Sequence, residues 1–221
     1  MRNYEIPFLN REQAAEFLAH ELMRYKNQKP LLIGIPRGAV PMTQKIAGLM
    51  HADWNVVLVH KIPSPLNPEY AIGAVSEEGG IYVTPMDQPI EAGLHFNEMI
   101  RQGAATELKK LKQRRSLIDP YQSQPSFRDR TVIVIDDGIA TGATLIAAIR
   151  SIKKQFPARI IVATPVASQS AVELLRHEGV EIVILKVPRS FYSVSQFYEE
   201  FPQVSDEEFI SIVKESGKKV A

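Results

Sequence analysis

The 221-residue sequence contains no cysteine. That excludes disulfides, thiolate nucleophiles and cysteine-ligated zinc, and it suits a reducing compartment. Neither sign of charge is in excess: 26 Lys and Arg against 25 Asp and Glu leave a net +1. Overall charge therefore gives no ground for a nucleic-acid or membrane partner, and any electrostatic argument has to be local. No apolar run is long enough to span a bilayer, and the opening MRNYEIPFLN lacks the apolar centre of a secretory leader. The expectation is a soluble, cytoplasmic protein. The five histidines (20, 51, 60, 95 and 177) show no paired metal-ligand spacing. There is no H-E-x-x-H, no serine nucleophile elbow and no G-x-x-x-x-G-K-[ST], so neither hydrolytic chemistry nor a P-loop nucleotidase is indicated.

What is present is ordinary globular material, 45% apolar and 23% charged, with enough residues for one α/β domain and a sizeable core. Asn10 and Gln13 make a capping-box pattern before a helix, REQAAEFLAHELMRYK, whose Ala14, Leu18, Leu22 and Tyr25 share one face. Leu31–Ile35 reads as a buried strand running into Pro36-Arg37-Gly38-Ala39, and a helix follows from about Pro41. Asn55–His60 reads as a second buried strand that leaves through a loop at Lys61–Pro65. Ala71–Glu77 and Ile81–Thr84 flank Gly79-Gly80 as a hairpin. A long polar helix is expected over 91–118, then a strand at 132–135 with its helix. Strands at Arg159–Val166 and Glu181–Val187 enclose a helix at 168–177, and Ser205 with Glu208 caps a last helix from Asp206. Strands alternating with helices at these spacings predict a doubly wound, mostly parallel sheet. The region 61–128 forms an insertion in a single domain, 1–221.

The chemistry concentrates in Val132–Thr144, VIVIDDGIATGAT. Val132, Ile133, Val134 and Ile135 are apolar on both faces, as a central strand covered by helices on both sides must be. The strand ends in Asp136 and Asp137. Small and hydroxylated residues then turn into a helix, a pattern whose exposed N–H groups cradle a phosphate. Gly142 and Ala143 allow close approach of an anion, while Thr141 and Thr144 add hydroxyl donors. Two acids beside such a cradle suit sugar hydroxyls and a magnesium ion.

Four apolar residues, two acids and a T-G-x-T ending resemble the loop for phosphoribosyl pyrophosphate (PRPP) of the type I phosphoribosyltransferases, over all thirteen positions. The resemblance implies that Asp136, Asp137, Gly138, Ala140, Thr141, Gly142, Ala143 and Thr144 bind PRPP. It also implies that Asp136 and Asp137 meet Mg2+, directly or through its water shell. In an open α/β sheet ligands collect at the carboxyl ends of the strands, so residues 36–39, 61–70 and 136–144 should meet there. Alone, Pro36-Arg37-Gly38 is only a turn; beside the PRPP loop, the resemblance makes Arg37 and Gly38 pyrophosphate binders. Lys109, Lys110, Lys112, Arg114 and Arg115 read by default as a solvated face. They lie where the family carries a mobile catalytic loop, which puts Arg114 and Arg115 forward as catalytic cations. A subgroup with no assigned acceptor is similar at Lys61, at Asn67–Val75 and in the carboxyl-terminal stretch, so the resemblance runs over about residues 30 to 210.

Acceptor choice in the family comes from a hood, here 186–204. Lys186, Phe191 and Tyr192 are its candidate acceptor contacts, against the plainer reading that the aromatics pack the tail onto the core. The implied reaction transfers the 5-phosphoribosyl group of PRPP to a nitrogen acceptor such as a nucleobase, with release of pyrophosphate. The family is often homodimeric. The alternative is a protein of the same fold that senses PRPP and regulates nucleic acid without turnover, with the 109–115 cluster as its footing. The transferase reading requires that 36–39 and 136–144 meet, and that the acid pair not lie buried against a neighbouring cation with no cavity above it.

Overall fold

In the computed structural model, the described residues are 6–65, 71–84, 94–122 and 124–217. Five parallel strands form the central sheet: β1 (Leu31–Gly34), β2 (Asp53–Val56), β6 (Thr131–Ile135), β7 (Arg159–Val166) and β8 (Glu181–Lys186), in the order β2-β1-β6-β7-β8. Three antiparallel strands, β3 (Val59–Pro63), β4 (Ala71–Ser76) and β5 (Ile81–Val83), form a second sheet. The helices are α1 (Arg11–Leu22), α2 (Ala39–Met50), α3 (Leu94–Ile118), α4 (Ala143–Lys153), α5 (Gln169–His177) and α6 (Asp206–Gly217).

Both faces of the central sheet are covered, which is why its middle strands, LLIG of β1 and VIVI of β6, are apolar on both sides. Leu32, Ile133, Ile135, Ile161 and Ala163 point into one buried cluster with α1 and α2. The alternate residues Leu31, Ile33, Val132, Val134 and Val162 point into another with α4 and α5. Each fully buried aliphatic side chain contributes roughly 1.5–3 kcal/mol. A third cluster joins the second sheet to α3 and α6 through Ile62, Ile72, Ile100, Leu111, Phe209 and Val213.

Asn10 caps α1 as expected, its Oδ1 accepting from Gln13 N at 3.0 Å. Gln13 reaches back to Leu9 N at 2.9 Å instead of to Asn10. The run Asn55–His60 is not one strand. Its first part pairs with β1, and from Val59 the chain pairs with β4 in the other sheet. The switch falls at Leu58, whose N–H donates to the Glu77 carboxylate at 2.8 Å and whose carbonyl accepts from Glu77 N at 2.9 Å. Lys61–Pro63, expected in a loop, therefore lies in β3. Asn67, Pro68 and Glu69 fall outside the described residues.

Helix α4 is gripped from two sides. On one it lies on the central sheet; on the other Ala74 and Tyr82 of the hairpin join the same cluster. Gly80 sits so close that a Cβ there would meet the Ala147 carbonyl at 2.6 Å. The hairpin is thus a back wall for the helix that carries the anion cradle.

Candidate functional site

Strand register sets the site. Gly34 pairs with Ile135, so the turns after β1 and β6 leave the sheet side by side at the same height. They touch: a Cβ on Gly38 would stand 1.9 Å from Asp137 Oδ2. Only glycine admits the carboxylate so close to the backbone. Residues 36–39 and 136–144 meet as the sequence reading requires.

The turn 136–144 is pinned from below. Asp136 Oδ1 accepts from Asp137 N at 2.9 Å. Ile139 pairs with the end of β7, donating to the Val166 carbonyl at 2.9 Å, and the Ser168 hydroxyl donates to the Ala140 carbonyl at 2.6 Å. Gly142 then takes φ +76°, which glycine adopts without strain, and starts α4 with no side chain capping it. The first N–H groups of a helix have no partner within it, so those of Ala143 and Thr144 face the turn as donors for an anion. Thr141 is exposed at the lip, and Thr144 is half-buried behind it.

Asp136 and Asp137 are deeply set, and burial pushes both carboxyls above the ordinary aspartate value. For Asp136 the neighbouring Asp137 adds to the rise, whereas Arg11 works against it at Asp137. Arg11, the first residue of α1, went unnoticed in the sequence. Its Nε lies 2.8 Å from Asp137 Oδ2, and Nη1 donates to the Pro202 carbonyl at 2.6 Å. Its guanidinium stacks on Phe201 with 3.6 Å to the ring centroid. The acid pair is therefore half-neutralised from within: Asp137 has Arg11 as the neighbouring cation, and among the described residues the Asp136 carboxylate accepts only from Asp137 N. An ion pair across 126 residues leaves no periodic trace that a sequence reading could find.

Two concavities, of ≈ 530 and ≈ 670 Å³, open elsewhere. They are lined by Arg159 and Glu181, and by Leu31 and Asp53, the first residues of β7, β8, β1 and β2. That is the amino end of the sheet, opposite the acids and opposite where α/β sheets of this kind bind ligands.

Residues 8–199 match the family described as "Phosphoribosyl transferase domain". The chain belongs to this family. Among solved structures, TT1426 from Thermus thermophilus is 34% identical, with a TM-score of 0.79 over 94% of this chain and 98% of that one. A Mycobacterium tuberculosis (strain H37Rv) protein provisionally named a phosphoribosyl transferase, Rv0571c, is 28% identical over 215 residues, 97% of this chain and 48% of its own length. The uracil phosphoribosyltransferase of Mycoplasma genitalium is 32% identical over 101 residues, 44% of this chain and 48% of that protein. The chain thus spans about half the length of the curated relatives it matches.

Within this phosphoribosyltransferase-family fold, Lys109–Arg115 lie inside the long helix expected from the sequence, here α3. Arg115 is buried, donating from Nε to Glu77 Oε2 at 2.6 Å and from Nη2 to the Val56 carbonyl at 3.0 Å. It holds the second sheet to β2, its charge answered within the fold by Glu77. Arg114 instead reaches α6, donating to Asp206. Asp206 also lies 3.7 Å from Arg37 Nη1.

The carboxyl-terminal segment folds back over the acid turn, and its candidate acceptor residues take different places in it. Phe191 packs its ring on Phe197 at 4.9 Å, the packing alternative weighed for it. Tyr192 is 90% exposed. Lys186 ends β8, its carbonyl accepting from Ala167 N at 3.2 Å. The contacts to the loop are Val194, which a Cβ on Gly138 would strike at 2.3 Å, and Tyr198, whose hydroxyl donates to the Asp137 carbonyl at 2.6 Å. Burial, with the Asp137 charge, pushes the Tyr198 phenol well above its ordinary value, so it stays a neutral donor.

Proposed function

We propose that the chain transfers the 5-phosphoribosyl group of PRPP to a nitrogen acceptor of the nucleobase type, releasing pyrophosphate. The observation that supports this most is the contact of Gly38 with the Asp137 carboxylate, which sets a turn suited to the leaving group against one suited to the ribose phosphate. The relative named for uracil supports a heterocyclic acceptor.

In the reaction the C1–O bond to pyrophosphate breaks, C1 takes on oxocarbenium character, and the acceptor nitrogen forms the new C1–N bond. Such chemistry asks the protein for alignment and charge placement. The N–H groups of Ala140–Thr144, with the Thr141 and Thr144 hydroxyls, hold the 5′-phosphate. Asp136 and Asp137 address the ribose hydroxyls, Asp137 with Arg11 at its side. The Arg37–Gly38 turn receives the pyrophosphate. Among the described residues no third His, Cys, Asp or Glu joins the acids to make a metal cluster. A pair of carboxylates still fits magnesium, which commonly takes one or two protein carboxylates and fills its shell with phosphate oxygens and water. When bound there, it would offset charge on the departing pyrophosphate.

The test is to incubate PRPP and Mg2+ with a panel of bases and follow pyrophosphate release. Release dependent on one base supports the transferase, and PRPP binding without release by any base supports the sensing alternative. The footing of that alternative is narrower than the sequence suggested, because Lys110, Arg114 and Arg115 are engaged in ion pairs within the fold.

A further inference from the structure

Arg37 and Arg114 come from different elements, the turn after β1 and the carboxyl-terminal part of α3, yet converge on one oxygen. Asp206 Oδ1, on the first residue of α6, accepts from Arg114 Nη2 and lies 3.7 Å from Arg37 Nη1. The Arg114 guanidinium also stands over the Phe209 ring, 5.1 Å from its centroid, so α6 supplies both the acid and the platform. Burial, and then the neighbouring Arg37, hold Arg114 below its ordinary basicity. Two guanidinium groups repel unless an anion lies between them. The anion present is a weak match, a singly charged carboxylate 57% exposed, sharing one oxygen between forks that can each take two. Arg37 adjoins Gly38, which packs on Asp137, so the arginine pair borders the acid turn.

The geometry points to a two-arginine subsite for a multiply charged phosphate group, in which Asp206 is the internal anion that fills the site until such a group arrives and turns less highly charged anions away. This rests on the transferase reading, since the pyrophosphate end of the substrate is the group the subsite would take. Asp206 is then a specificity-determining residue acting through Arg37 and Arg114. The start of α6 does not need it: Glu207 and Glu208 share the first turn, and the Ser205 hydroxyl accepts from Glu208 N at 3.1 Å.

The test titrates inorganic pyrophosphate and orthophosphate, each with Mg2+, into the wild type, Asp206→Asn, Asp206→Ser, Arg114→Gln and the Asp206→Asn/Arg114→Gln double variant, with unfolding midpoints as the control for folding. Two exposed pairs released together predict pyrophosphate binding roughly three- to tenfold tighter in both Asp206 variants, with a larger relative gain for orthophosphate. Arg114→Gln binds pyrophosphate about tenfold more weakly, and the double variant no longer shows the gain. Unchanged or weaker pyrophosphate binding in both Asp206 variants at undiminished midpoints overturns the proposal, as does indifference to Arg114→Gln. Pyrophosphate binding with the expected Asp206 response but no binding of PRPP would sink the transferase reading and leave the subsite standing. PRPP binding blind to both residues would do the reverse.

Discussion

At the scale of single residues, the two acids of the turn are not equivalent. Asp137→Asn looks from the sequence like the natural way to remove the site, but it also strands the Arg11 guanidinium between Pro202 and Phe201. Asp136→Asn is cleaner, because an amide oxygen can still accept from Asp137 N. The Asp136 carboxyl is raised in the fold by burial and by Asp137. A raised acid binds more protons folded than unfolded, so its ionisation subtracts stability as pH climbs above the unfolded value. Asp136→Asn is therefore expected to raise the unfolding midpoint of the ligand-free protein at neutral pH, to shrink that gain as pH falls toward the unfolded aspartate value, and to abolish Mg2+-dependent PRPP binding. Thermal unfolding across pH, with calorimetry, checks all three. Gly38→Ala has a permissible backbone at φ −59° but drives a methyl into Asp137. PRPP affinity should drop about tenfold or more, a cost of the size that overpacking brings, and an unchanged titration would refute the contact.

At the scale of elements, Arg115 and Glu77 show what a charge cluster conceals. In the sequence Arg115 is one of five cations in seven residues; in the fold it is a buried pin between α3, the hairpin and β2. Breaking a buried pair leaves the other charge stranded, at about 3–5 kcal/mol. Arg115→Met should lower stability by about that amount in urea unfolding, while Arg115→Met with Glu77→Gln, whose neutral amide oxygen can still accept from Leu58 N, recovers much of it. Purely lost PRPP binding at full stability would support the catalytic role expected from the sequence. The same element shows where legibility ended. Strand β6, the acids and the following helix were readable because apolar pattern, turn chemistry and capping agree locally. The split of Asn55–His60 was not, since either sheet satisfies an apolar run, and a carboxylate nineteen residues on decides the break. Phe191 and Tyr192 drew attention to the segment that returns over the loop because they are large and aromatic. Val194 and Tyr198, less conspicuous by type, are those that reach the loop.

At the scale of the whole molecule, the segment before α1 and the segment before α6 are sewn together over the site. Phe8 bridges Tyr198, its N–H donating to the Phe197 carbonyl at 2.7 Å, and Glu199 and Glu200 donate back to Phe8 and Leu9. Arg11 and the segment 193–202 therefore stand as one clasp on the acid turn. Beneath it, α4 lies between two sheets with Leu145, Ile146, Ala147, Ala148, Ile149 and Ile152 all buried. A helix enclosed in this way cannot slide or fray separately from the body. Its amide protons should exchange with deuterium only when the whole domain opens, equally slowly with or without phosphate ligands. Faster exchange in the free protein would show a cradle assembled on demand. Slow exchange in both states would mean that the donors stand in place before any anion arrives, so little ordering entropy opposes capture.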